Sequence, residues 1–205
     1  MNTHHPTIYI IDDEHAIRDS LTLMIAQENI PVLAFESAEA FLAVCPEECY
    51  GCAIVDYRMP EMDGLQLQEE LAKRNISIPI IFLTGHGNIP TSVKAIKAGA
   101  IDFLTKPVRR EKLISVVTAA MMESEKSLTE SASCKEAEKC IASLTEREYD
   151  VMLLAIQGHH NKDIARKLGI SHRTVEIHKS NIMHKTGANH VLDLARIAHK
   201  SGLKE

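Results

Sequence analysis

Five short apolar runs, TIYII (7–11), VLAF (32–35), CAIV (52–55), PIIFL (79–83) and DFLT (102–105), recur through the first half of the chain. Each is of strand length, and several are bounded by Pro, Gly or Asp. Between and after them the apolar residues change to a helical period. Ile17, Leu21, Met24 and Ile25 form one stripe, and Leu113, Val116, Val117, Ala120 and Met121 another. Strands that alternate with amphipathic helices cannot pair as hairpins. They predict an α/β fold, a parallel sheet covered by helices on both faces with right-handed crossovers.

The polar residues at the ends of these runs are the next constraint. In an open parallel sheet, ligands bind beyond the carboxyl ends of the strands, where the winding direction reverses. Asp12 and Asp13 follow the first run, Asp56 the third, Thr84 the fourth and Lys106 the fifth. Three crowded carboxylates repel one another unless a cation holds them, and oxygen donors alone suit a hard ion such as Mg²⁺. Mg²⁺ prefers to share phosphate oxygens, so the pocket expects a phosphoryl group. Asp56 would be the nucleophile, with Lys106 and a hydroxyl offsetting charge on the transferred group. A cis Lys106–Pro107 bond would pin the ammonium toward the pocket. A phosphatase of the haloacid dehalogenase type also uses an Asp nucleophile, but it needs a second acid two residues on, where this chain has Arg58. Arg58 and His86 flank the pocket mouth as a candidate gate for hydrolytic water.

The charge is unevenly spread. The net charge of −5 divides into −6 for residues 1–122, −2 for 123–141 and +3 for 142–205, and the last segment holds seven of the eleven His. Nucleic acid is therefore a candidate partner for the back segment only. Residues 123–141, ESEKSLTESASCKEAEKCI, are polar and weakly periodic and predict a partly helical linker. Four short helices are expected beyond it. Thr145 and Glu148 form a capping box with Leu144 and Tyr149 as its staple. The second helix starts behind Asn161. The turn Gly169-Ile170-Ser171 leads to a third helix capped by Ser171, and Asn189 caps the fourth. Two helices joined by a short Gly-containing turn are a helix-turn-helix.

Its third helix would enter the major groove. Arg173, Glu176, Ile177 and Ser180 would face base edges, although Glu176 is better suited to a structural pairing with a neighbouring basic residue. Lys162, Thr174, His178, Lys179 and Lys185 would touch phosphates, with His178 alternatively satisfied inside the domain. Val175 and Ile182 are core by spacing.

The set Asp12, Asp13, Asp56, Thr84 and Lys106, in the segments IIDDEHAIR, VDYRMPEMDG, FLTGHG and DFLTKP, resembles the receiver domain of two-component response regulators. TGHGNIPTSVKAIKAGAIDFLTKP is similar to the FixJ group. LTERE, NKDIARKLGIS and RTVEIHKSNIMHKTG are similar to the LuxR/NarL-type DNA-binding domain. The resemblance implies a flavodoxin-like (βα)5 receiver at 1–122 with strand order 2-1-3-4-5, a linker at 123–141, and a small all-α helix-turn-helix domain at 142–205.

It also implies that Asp56 is the phosphoacceptor, and that Mg²⁺ is held by Asp13, Asp56 and the backbone carbonyl of Arg58, with Asp12 acting through water. The resemblance further implies that Thr84 and Phe103 act as a coupled switch, Phe103 being otherwise simply buried core, and that the helix before the fifth strand together with that strand (90–104) is the dimer face. The partners implied are a sensor histidine kinase, double-stranded promoter DNA and RNA polymerase, with a homodimer on phosphorylation and transcriptional activation as the outcome. Such a chain is expected not to be an enzyme in the ordinary sense, apart from catalysing loss of its own phosphoryl group. No run approaches the length of a membrane span, and no Lys or Arg precedes the first apolar run, so a cytoplasmic protein with no membrane partner is expected.

Five Cys, an odd number, suggest reduced thiols. Cys45, Cys49 and Cys52 lack the further ligands of a zinc site. Cys134 and Cys140 could sense redox state, but fall on different helix faces.

Overall fold

The computed structural model describes residues 5–46, 49–85, 96 and 99–203. They form two compact units, Met1–Leu128 and Thr129–Glu205.

In the first unit, strands β1 (Thr7–Ile11), β2 (Val32–Phe35), β3 (Gly51–Asp56), β4 (Ile80–Thr84) and β5 (Asp102–Thr105) form one sheet in the order β2-β1-β3-β4-β5. Every pairing is parallel. Side chains alternate across a strand, so each inner strand feeds two cores. Tyr9, Ile11, Ala53, Val55, Ile80 and Phe82 pack on one face with α2 (Ala38–Val44) and α3 (Gly64–Lys73). Ile8, Ile10, Cys52, Ile54, Ile81 and Leu83 pack on the other with α1 (His15–Ile25) and the start of α4 (Arg110–Ala142). β3 and β4 are buried along their whole length, which is why their sequences read as unbroken apolar runs rather than alternating ones.

Gly51 fixes how β3 enters the sheet. Its φ of 135° and the 1.8 Å between a built Cβ and the Thr7 carbonyl oxygen admit no side chain. Its N–H is bound by Ser124 Oγ of α4 at 3.0 Å.

Residues 123–141 differ from the partly helical linker expected, because the whole segment continues α4. Extending a helix already anchored by packing costs far less than nucleating one, so scattered Ser and Thr do not stop it. Lys126 lies 4.0 Å from Glu123, one turn earlier.

The second unit continues with α5 (Glu146–Ile156), α6 (Asn161–Leu168), α7 (His172–Thr186) and α8 (Val191–Lys200). The capping box at Thr145 is present, with Thr145 Oγ1 accepting from the Glu148 N–H and Glu148 accepting from the Thr145 N–H. Ser171 caps α7, and Gly169 leaves α6 in the left-handed region at φ 66°. Two caps are corrected by one residue. α6 is preceded by His160, with Asn161 its first residue, and α8 is preceded by His190 rather than Asn189. The Asn189 N–H is taken instead by the Asp193 carboxylate at 3.1 Å. Val151, Met152, Ile164, Val175, Ile182 and Leu194 close the core of this unit. Leu192 stays 77% exposed. Among the described residues, no helix is long and apolar enough to cross a membrane.

Candidate phosphoryl pocket and DNA-reading helix

The sheet order reverses between β1 and β3, and the loops leaving those strands carry the acidic residues. Asp12 and Asp56 are buried, Asp13 is exposed, and one carboxylate oxygen from each lies within 4.8 Å of the others. Local hydrogen bonds orient them. Asp12 Oδ1 accepts from the Glu14 N–H at 3.0 Å, and Asp56 Oδ1 accepts from the Arg58 N–H at 3.2 Å. Gly64 keeps the loop after Asp56 tight, since a Cβ there would meet the Asp56 carbonyl oxygen at 2.7 Å and the Phe82 ring at 2.8 Å.

Lys106 reaches this cluster from the end of β5, and its peptide bond to Pro107 is cis. Its Nζ lies 2.7 Å from Asp12 Oδ2, 2.9 Å from Asp56 Oδ2 and 3.5 Å from Glu14 Oε1. The Lys106 N–H donates to the Thr84 carbonyl at 2.7 Å, so the ends of β4 and β5 are tied together at the pocket. Thr84 is buried.

The electrostatics follow from this packing. Burial raises the Asp12 carboxyl above the usual carboxylate range, and repulsion from Asp56 adds to it, against the opposing pull of Lys106 and the Glu14 N–H. Burial alone would lower the Lys106 ammonium, but hydrogen bonds to Asp12 and Asp56 outweigh it and raise the group, so it stays charged. One ammonium therefore serves two buried carboxylates. The deficit of positive charge and the all-oxygen donor set fit a hard divalent cation such as Mg²⁺.

Two residues at the pocket were not singled out from the sequence. Arg18 donates one guanidinium nitrogen to the carbonyls of Asp12 at 2.7 Å and Asp13 at 3.0 Å, clamping the acidic loop. Glu14 is the third carboxylate facing Lys106. The signal was their place within IIDDEHAIR, Glu14 directly after the acidic pair and Arg18 five residues beyond it. Phe103 is half-buried, and Tyr57 bridges it to Phe82, with ring centroids 5.9 Å apart in both pairs. Arg58 is exposed, while His86 and most of the 90–104 face lie outside the described residues.

In the helix-turn-helix, Arg173, Glu176, Ile177 and Ser180 all lie on the exposed side of α7, and Ile177 is 53% exposed although apolar. Asn181 and His184 share that side at helical spacing and were missed, because neither a short amide nor a His stands out from the surrounding polar residues. Glu176 Oε1 sits 3.6 Å from His172 Nδ1, the neighbouring basic pairing anticipated for it.

The residues expected at phosphates divide. Lys162 is exposed, whereas Lys179 Nζ donates to Asn161 Oδ1 at 3.1 Å and Thr174 Oγ1 is 2.8 Å from Ser171 Oγ. His178 is half-buried, with Nδ1 enclosed and without a hydrogen bond among the described residues. Lys185 is exposed and also makes internal contacts. Its ammonium is held by Glu148 Oε2 at 2.7 Å and the Ser143 carbonyl at 3.1 Å, an internal brace between α7 and the start of α5.

Comparison with known proteins agrees with both halves. Residues 8–118 match the response regulator receiver domain, and residues 142–198 match the bacterial regulatory proteins of the luxR family. The chain is 42% identical over 200 residues to the response regulator protein TmoT of Ectopseudomonas mendocina, covering 98% of this chain and 91% of that one. It is 38% identical to the transcriptional regulatory protein FixJ of Bradyrhizobium diazoefficiens, over 96% of each chain. Among solved structures, the response regulator StyR aligns with a TM-score of 0.85 at 36% identity, over 96% of this chain and 99% of that one. The chain belongs to the two-component response regulators of the FixJ type, DNA-binding transcription regulators that join a receiver domain to a LuxR-type helix-turn-helix.

Proposed function

We propose that this regulator is switched by phosphorylation of Asp56 and that the modified protein dimerises and binds promoter DNA to activate transcription. The observation that carries the reading is the Asp12–Asp13–Asp56 cluster facing Lys106 at the carboxyl edge of the sheet, in a chain that also presents an exposed recognition helix.

The donor would be the phosphohistidine of a sensor kinase. A carboxylate oxygen of Asp56 attacks phosphorus, the O–P bond forms as the P–N bond breaks, and the histidine leaves with a proton. Asp13, Asp56 and the Arg58 carbonyl would hold Mg²⁺, with Asp12 acting through water. When bound, the ion supplies positive charge toward the phosphoryl oxygens. Lys106 already lies on the Asp56 carboxylate and neutralises the remaining charge without reorganising.

The hydroxyl of Thr84 would move toward the phosphoryl group, and Phe103 would follow into the space it leaves. Phosphate acts at a distance only through such a two-state element. The dimer surface is the 90–104 face, and Arg58 and His86 gate the water that ends the signal. On DNA, Arg173, Ile177 and Ser180 would read bases, while Lys162, Thr174, His178 and Lys179 would position the helix on phosphates. Two tethered copies gain affinity through effective concentration, which converts dimerisation into occupancy. The units are read as a receiver at 1–122, a helical connector at 123–141 and a DNA-binding domain at 142–205, working in the cytoplasm with RNA polymerase at the promoter.

Wild type and Asp56→Asn, each incubated with a small phosphodonor and Mg²⁺, test this by intact mass, light scattering and DNA binding. Wild type alone should gain one phosphoryl group, become dimeric and bind DNA more tightly. Modification of both proteins, or of neither, overturns the assignment.

A further inference from the structure

Cys45 and Cys49 are used by nothing in the phosphoryl pocket or on the DNA-reading face. Their Sγ atoms lie 2.9 Å apart. Cys45 ends α2, where its N–H caps the helix on the Phe41 carbonyl, and Cys49 stands two residues before Gly51 at the start of β3. Both thiols also approach the Pro46 carbonyl, at 3.6 Å from Cys45 and 3.2 Å from Cys49. The pair belongs to the α2–α3 side of the sheet, where Cys49 is buried and Cys45 is half-buried. The pair therefore lies at the edge of the core, with Cys45 its more exposed member.

We infer that Cys45 and Cys49 form a dithiol–disulfide site that hydroperoxides oxidise reversibly. Closing the bond needs the sulfurs to move from 2.9 Å to about 2.05 Å, a sub-ångström adjustment at the end of a helix and a loop. In the first step the thiolate of the pair attacks the peroxide. An S–O bond forms, the O–O bond breaks, and the alcohol or water leaves with a proton. The second sulfur then attacks the sulfenic sulfur. The S–S bond forms, the S–O bond breaks, and the hydroxyl leaves as water with the second thiol proton. Two thiols and one hydroperoxide give a disulfide, an alcohol and a water, and sulfur supplies the two electrons.

The surroundings favour a shared proton. The hydrogen bond between the two thiols raises Cys45 and lowers Cys49, which makes Cys49 the readier of the two to react as a thiolate. Arg74, whose guanidinium donates to the Leu42 carbonyl at 3.4 Å near the end of α2, adds positive charge beside Cys45. The Tyr9 hydroxyl bonds Cys49 and lowers it further. Cys52 differs, because burial pushes its thiol up to about 12 and leaves it unreactive. Cys134 is exposed and Cys140 half-buried, and both are free thiols.

The full-length protein, treated with a few equivalents of hydrogen peroxide and then alkylated, tests the site by peptide mass spectrometry. A Cys45–Cys49 bridge should appear in a peptide two hydrogens lighter, with Cys134 alkylated. Dithiothreitol should restore both thiols. Alkylation of Cys45 should slow at least tenfold on oxidation, and Cys45→Ser should leave Cys49 as a sulfenic acid trapped by dimedone. Cross-linking through Cys134 or Cys140 while Cys45 and Cys49 remain alkylatable would overturn the inference. So would sulfenic acid persisting at Cys49 in the wild type.

Discussion

Replacing Lys185 by Met separates two roles that a lysine near a recognition helix can play. Glu148 is buried at the start of α5, with its side chain only 5% exposed, and Lys185 reaches it at 2.7 Å. That contact, followed by the Thr145 N–H, lowers the Glu148 carboxyl from 4.5 to about 2. The difference corresponds to about 3 kcal/mol of linkage at neutral pH. Thr145 still donates in the variant, and the 35% exposure of Lys185 screens part of the attraction. The expected cost of Lys185→Met is therefore about 2 kcal/mol. The sign is fixed by the direction of the shift. A lowered carboxyl stabilises the fold above its unfolded value of 4.5, and this stabilisation is lost as pH falls toward 2. The variant and wild type should differ fully at pH 7 and converge between about pH 4.5 and 2. The chain has no Trp, so urea unfolding of the full-length protein is best followed through the NMR methyl signals of Met152 and Met183, which report the core of the second unit. DNA binding supplies the second readout. The slope of log K against log salt should stay unchanged in the variant, whereas a lost phosphate contact would reduce it by about 0.9. Unchanged stability with a slope reduced by that amount would refute the reasoning.

Five further outcomes follow from other contacts. Asp13→Ala should weaken Mg²⁺ binding at least tenfold, about 1.4 kcal/mol, in calorimetric titration of a protein that still folds. Arg18→Ala, which frees the carbonyls of Asp12 and Asp13, should slow phosphoryl uptake from a small donor while leaving Asp56 the modified residue by peptide mapping. Ile177→Ala and Asn181→Ala should each lower discrimination between the operator and a mutated site by about 1–3 kcal/mol in competition binding. Lys162→Ala should weaken both DNAs alike and reduce the salt slope by about 0.9. Gly51→Ala should cost well over 1 kcal/mol in thermal unfolding, because the Thr7 carbonyl occupies the space and φ is positive.

The inner strands β1, β3 and β4 were legible because burial on both faces leaves a strand little choice of composition. β1, β2 and β5 begin and end where their apolar runs do. β3 extends one residue further at each end, to Gly51 and Asp56, because hydrogen bonding continues past the apolar stretch. The pocket was legible for a related reason. Strand ends in a parallel sheet converge, so Asp12, Asp56 and Lys106, far apart in the chain, had only one place to meet. Arg18 was harder to see, because its partners are carbonyls, which carry no side-chain signature.

The helical half sets a different problem. A lysine on a recognition helix can reach in several directions, and its spacing does not say which acceptor it finds. Lys185 is on the solvent-accessible end of α7 by period, and only packing against the start of α5 brings it to Glu148. The same Glu148 closes the capping box legible from Thr145, so one carboxylate serves a local motif and a long-range pair at once. Such a residue couples helix start and helix packing. Removing Glu148 should therefore cost more than losing either contact alone, since the Thr145 N–H and the Lys185 ammonium lose their partner together.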